Sequence, residues 1–193
     1  IAGRAAIALA LLPRDQYRYG MELHIDAETG LLLKSLLLSE HGQLLERFQF
    51  VGLQPLAQLD ERALQPVTDC KPALAVVAEP PIATTLQPAW LPPGFAQSGM
   101  QVSRNASTSA LVQTLLFNDG LAHFSVFIEP LAGAVIEEIR SQLGPTSVVS
   151  RRVADGESVV MVTVVGEIPL ATAEQVALSI AAAPAAPAAE SAP

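Results

Sequence analysis

Cysteine is nearly absent, with Cys70 alone in 193 residues. One thiol closes no disulfide within the chain and supports no cysteine-based metal centre, so cysteine usage leaves the redox compartment open. Basic residues are also scarce, 11 Lys and Arg against 19 Asp and Glu, for a net charge of −8. That balance argues against a nucleic-acid binder, which needs clustered cations for phosphate. The two basic spots, Arg14 with Arg18 and Arg151-Arg152, read first as solvated surface. Half of the residues are hydrophobic, yet no uninterrupted apolar run reaches the ~18 residues of a membrane helix. Catalytic signatures are missing as well: no G-x-S-x-G, H-E-x-x-H, P-loop or G-x-G-x-x-G occurs. His24 and Asp26 share a strand face at i, i+2, where a metal or a polarised water is conceivable, but the solvated face of a sheet explains the pair more simply. His41 in a turn and His123 on a polar strand face read as surface, and Glu137-Glu138 as solvated carboxylates. The expectation is a protein with no catalytic residues, no metal and no cofactor.

What is present is a strand pattern. Over residues 17–25, Tyr17, Tyr19, Met21, Leu23 and Ile25 alternate with polar or small residues. A period of two gives one apolar and one polar face. Asp26 to Gly30 supplies turn chemistry, 31–38 a second strand, Glu40-His41-Gly42 a second turn, and 43–51 a third strand carrying Leu44, Phe48 and Phe50 on one side. Short turns between such strands make an antiparallel meander. The apolar face needs a cover, which the sequence leaves open between a helix, a second sheet and a ligand. Tyr17, Tyr19, Met21, Leu23, Phe48 and Phe50 are the candidate lipid-facing residues, with ordinary core as the simpler alternative. The run 31–38 is apolar on both faces, which suggests burial on both sides or a surface for a partner. Residues 1–13 resemble a signal peptide at a glance, but the apolar stretch 5–12 is short for one and there is no initiator Met; a strand is expected, entered from a missing front part.

Eight of the fifteen prolines fall between Pro55 and Pro93. Proline fixes φ and lacks a donor, so 66–89 is expected to be an extended linker, with 73–78 as a short edge strand. The domain expectation is therefore 1–65, a linker 66–89, a second domain 90–181, and a disordered Ala/Pro tail 182–193. Within the second domain, Pro92-Pro93-Gly94 makes a rigid turn between Trp90 and Phe95, whose rings are suited to anchoring the linker. Strands are expected over 100–105, 111–117 and 121–129, the latter two joined by Asn118-Asp119-Gly120. Ala122, Phe124, Val126 and Ile128 should face one way, and His123, Ser125 and Phe127 the other. Residues 131–143 have helical spacing at Val135, Ile136, Ile139 and Leu143. Strands over 146–153 and 158–165 follow, then a helix capped by Thr172, with body 173–181 and an apolar side of Val176, Leu178 and Ile180.

Six blocks then fall into an order. They are Y-R-Y-G (17–20), D-x-x-T-G-L-L-L-K (26–34), L-E-R-F-Q-F (45–50), W-L-P-P-G-F (90–95), N-D-G-L-A-H-F-S-V-F-I-E (118–129) and V-T-V-V-G-E-I-P (162–169). Together they resemble the RseB/MucB family. The resemblance implies a periplasmic negative regulator of the envelope-stress sigma factor. Such a protein binds the periplasmic domain of a transmembrane anti-sigma factor (RseA/MucA-like) and shields it from proteolysis, with relief by lipid or lipopolysaccharide. It implies an α+β, β-rich fold: the last strands of a LolA/LolB-like half-barrel, then a small antiparallel-sheet domain with one or two helices. That small domain would contact the anti-sigma factor, with Phe124, Phe127, Arg151 and Arg152 as candidate contacts. The alternative kept beside it is a periplasmic lipid or lipoprotein carrier, resting on the apolar face of the first block.

Overall fold

A computed structural model describes residues 1–56, 58, 60–68, 70–71, 86–105, 107–131, 137–156 and 158–182. Twelve strands, one α-helix and one short 3-10 turn account for its regular structure among those residues. The first sheet is a meander in the order β1-β2-β3-β4, built from β1 (Ala6–Leu11), β2 (Gly20–Asp26), β3 (Leu32–Leu38) and β4 (Leu44–Gln49). The strand expected in the first thirteen residues is β1, antiparallel to β2. Glycines at positive φ, Gly30 and Gly42, close the two turns.

The second sheet has six strands in the order β6-β7-β8-β11-β10-β9. They are β6 (Ala96–Arg104), β7 (Leu111–Asn118), β8 (His123–Pro130), β9 (Ile139–Leu143), β10 (Thr146–Asp155) and β11 (Ser158–Gly166). One face carries the core: Leu115, Phe117, Phe124, Val126, Ile128, Val162 and Val164 pack under α1 (Leu170–Ser179), which contributes Ala173, Val176 and Ala177. Burying each such large aliphatic or aromatic side chain is worth roughly 1.5–3 kcal/mol. The expected alternation along β8 holds, since Phe124, Val126 and Ile128 are buried and His123 is exposed. The β-rich α+β class and its antiparallel sheets are as expected.

Three local expectations fail. Residues 139–143 are strand β9, while 132–136 lie outside the described residues. Spacing i, i+4 serves a strand face as well as a helix face, so Ile139 and Leu143 could not discriminate. The helix begins three residues before its expected body, with Pro169 at the N-cap and no side-chain cap; Thr172 is buried in the first turn. Leu178 is 62% exposed, and Ile180 has left the helix for β12 (Ile180–Ala182). That strand pairs with β5 (Leu86–Pro88), so residues 86–88, within the expected linker, form a strand. The possible strand at 73–78 and the tail beyond 182 lie outside the described residues.

Asp26 closes the first sheet. Its carboxylate accepts from Arg4 Nε at 3.0 Å and Nη2 at 2.7 Å, and from the Thr29 backbone N–H at 3.2 Å. The Arg4 bonds, then Thr29, hold its pKa down to about 2. A carboxylate depressed on folding lends stability that is complete above its ordinary pKa of about 4 and is lost as pH falls through the folded value. Between pH 4 and 2 the urea midpoint of the chain should therefore fall more steeply than that of Asp26→Asn. Parallel curves would show that Asp26 is not linked to folding.

Candidate functional site

The first and second sheets meet at the residues just before β2. Tyr17, Arg18 and Tyr19 precede the strand proper, and each reaches a different residue in or beside the second sheet. Tyr17 stands edge-on to Trp90, with ring centroids 5.1 Å apart and planes at 68°. Arg18 pairs with Asp119 in the β7–β8 turn, donates to the Pro93 carbonyl, and pairs with Asp15 at 3.2 Å. Its guanidinium lies 5.3 Å from the centre of the Phe95 ring, within cation–π range. Tyr19 donates through its hydroxyl to the Ile168 carbonyl at 3.0 Å and accepts from Gln142 Nε2 at 3.0 Å. Burial raises the Tyr19 phenol pKa above its ordinary value.

Both sides of this joint are braced. Asp119 is 5% exposed; its second oxygen accepts the backbone N–H groups of Leu121 and Ala122 at 2.9 and 2.8 Å, while Gly120 turns at φ 95. Ser147 Oγ donates to the same Ile168 carbonyl at 2.7 Å. The Pro-Pro-Gly segment forms the expected turn, Phe95 N–H bonding Pro92 O at 3.1 Å. Beside Arg18 lies a cleft of about 40 Å³ lined by Leu11, Met21, Leu37, Leu121 and Ala122. That is room for a few waters, not for an acyl chain.

From the joint an apolar face runs along the first sheet. The register places Leu9 opposite Leu23, Leu11 and Leu37 opposite Met21, and Phe48 opposite Ser35 on the same face. Ile7, Leu9, Leu11 and Phe48 are between 37% and 56% exposed, so the described residues leave much of this face uncovered. Phe50 joins it edge-on to Phe48 at 5.2 Å. Of the six residues expected to face lipid, Met21, Leu23, Phe48 and Phe50 gather here. Tyr17 does not, since its ring stands against Trp90; Tyr19 lines the cleft beside Leu11, Met21 and Leu37 while its hydroxyl bonds Ile168. On the opposite face His24 meets Glu22 at 2.6 Å and Lys34 at 3.4 Å, and this His24 bond holds the Glu22 pKa below the usual carboxylate range. Asp26 turns to Arg4 and Thr29 instead, so the His24–Asp26 pair does not form a site. Among the described residues no cluster of His, Cys, Asp or Glu is arranged to hold a metal ion.

The four candidate partner contacts do not form one surface. Phe124 is 1% exposed in the core, so its ring is unavailable to a partner. Register places Arg151 opposite Val162 on that inner face, whereas Phe127 opposite Thr163 and Arg152 opposite Met161 lie on the outer one. Neighbouring strand residues point to opposite faces, so a pair such as Arg151-Arg152 is split by the pleat. Arg151 opens onto a groove of about 250 Å³ between β9, β10 and α1, and Arg152 is exposed. Sequence reading missed Arg18, Asp119, Gln142 and Ile168 as joint residues. The one available signal was an arginine between two tyrosines ahead of the strand's first glycine.

Comparison with known proteins gives a consistent result. Residues 1–68 match the MucB/RseB N-terminal domain and residues 81–181 the MucB/RseB C-terminal domain. The sigma factor AlgU regulatory protein MucB of Pseudomonas aeruginosa is 53% identical over 180 residues; the match covers 93% of this chain and 57% of that protein. A crystal structure of MucB in complex with MucA(peri) superposes with a TM-score of 0.83 at 51% identity, covering 96% of this chain and 65% of the other. A crystal structure of MucB superposes at 0.64, also at 51% identity, covering 93% and 58%. The chain thus spans little more than half the length of the curated relative.

Proposed function

The chain belongs to the MucB/RseB family, and on that premise we propose that it is a negative regulator of the envelope-stress sigma factor. It acts in the periplasm, by binding the periplasmic domain of a transmembrane anti-sigma factor of RseA/MucA type and shielding it from proteolysis. Lipid or lipopolysaccharide relieves the shield. The observation that carries this reading is the likeness, across both sheets, to a MucB solved with MucA(peri). No catalytic role is proposed, in keeping with a relative named as a regulatory protein. We further propose that the unit boundary lies in the proline-rich stretch, with the second unit starting at Leu86, where β5 pairs with β12. The first unit is then part of a lipoprotein-carrier-like half-barrel, and its apolar face is the surface on which an amphiphile acts.

Titration with a MucA-type periplasmic domain, with and without a lipid A-like amphiphile, tests this. Saturable binding that the amphiphile reverses is expected. A folded chain that takes up amphiphile but not the anti-sigma domain would replace the regulator with the second reading, a lipid or lipoprotein carrier. The uncovered row Ile7, Leu9, Leu11 and Phe48 is what favours that alternative.

A further inference from the structure

Among the described residues, three consecutive side chains carry hydrogen bonds, an ion pair and a ring contact from the first sheet to the second. Tyr17 reaches Trp90, Arg18 reaches Pro93 and Asp119, and Tyr19 reaches Gln142 and Ile168. Most of these are ion pairs and hydrogen bonds, and the apolar part of the joint encloses a small cleft rather than a packed core. Polar interfaces between units permit relative motion by default, so such a joint holds by geometry more than by buried area. This chain also superposes more closely on MucB bound to MucA(peri) than on MucB alone.

We propose that Tyr17-Arg18-Tyr19 is a bolt that fixes the orientation of the two sheets, and that the anti-sigma factor's periplasmic domain binds the bolted orientation. The inference rests on the regulator reading given above. Arg18 is then a positioning residue, because one guanidinium joins Asp15 before β2 to Asp119 and Pro93 beyond it. A ligand that prefers one of two orientations shifts the population toward it and loses affinity when that orientation becomes rare. Conversely, a substitution that frees the joint weakens binding without touching the partner.

Trp90 is the chain's one tryptophan and lies in the joint, so its emission reports the bolt directly. The test compares wild type, Arg18→Met and Asp119→Asn, each titrated with a tryptophan-free MucA-type periplasmic domain. Asp119→Asn removes the charge but keeps the oxygen that caps Leu121 and Ala122, so it remains informative if Arg18→Met fails to fold. Both variants should bind at least tenfold more weakly than wild type. Their free-state Trp90 emission should be red-shifted and more open to acrylamide. Wild-type affinity in the folded variants would overturn the bolt while leaving the regulator standing. So would weakened binding with Trp90 still protected, since Arg18 would then act by contact. Failure of the wild type itself to bind would remove the regulator reading and the bolt with it.

Discussion

Gly166→Ala should cost the second sheet more than about 3 kcal/mol and leave little of it folded at physiological temperature. Gly166 ends β11 directly opposite Phe124 of β8. A Cβ built there would stand 2.4 Å from Phe124 Cβ, 2.6 Å from its Cα and 2.6 Å from the His123 carbonyl oxygen. Two of those atoms are main chain, so relief requires the central strand pair to separate rather than a rotamer to turn. The same segment leads to Ile168, whose carbonyl receives Tyr19 and Ser147, so the joint should fail with the sheet. Gly52→Ala is the control: nothing lies within 4 Å of its added Cβ. Urea unfolding followed by circular dichroism should place Gly52→Ala near wild type and Gly166→Ala far below it. Similar midpoints for both would mean that β8 and β11 are not so closely apposed.

Phe124→Ala should destabilise by about 3–5 kcal/mol, the usual range for deleting a buried aromatic ring. Phe124 is fully enclosed, stacked on Phe117 with centroids 5.0 Å apart and tilted against Phe95 at 5.2 Å. Phe95 in turn carries the Arg18 guanidinium on its ring, so the cavity would open directly under the joint. Any loss of partner binding in Phe124→Ala should therefore track its loss of fold. At a temperature where the variant is still folded, binding should recover. A folded variant with normal melting and abolished binding would restore Phe124 as a contact.

The contrast between Phe124 and Phe127 illustrates what the sequence made legible. Alternation alone separated their faces, and the hairpin at Asn118-Asp119-Gly120 was readable from turn chemistry. Strands β2, β3, β7, β8, β10 and β11 all lie close to where apolar periodicity places them. The contacts of Tyr17 with Trp90 and of the Tyr19 hydroxyl with Ile168 were not legible, for a physical reason. The spacing of the two tyrosines continues the strand's period of two, but β2 starts only at Gly20, and beyond a strand end parity no longer fixes direction. Arg18 was invisible as a joint residue because Asp119 lies 101 positions away, and no local pattern encodes that separation. Thr172 looked like a cap because capping residues are chosen by chemistry; here the backbone of Pro169 starts the helix without one. The apolar face of the first sheet was legible, whereas its exposure depends on what covers it.

The most direct measurement is the cleavage rate of a MucA-type periplasmic domain by its initiating protease, at increasing concentrations of this chain. The regulator account predicts that cleavage slows and saturates near one chain per substrate, that the lipid A-like amphiphile restores it, and that Arg18→Met shields less than wild type. An unchanged cleavage rate at concentrations where the chain is folded and bound would contradict it.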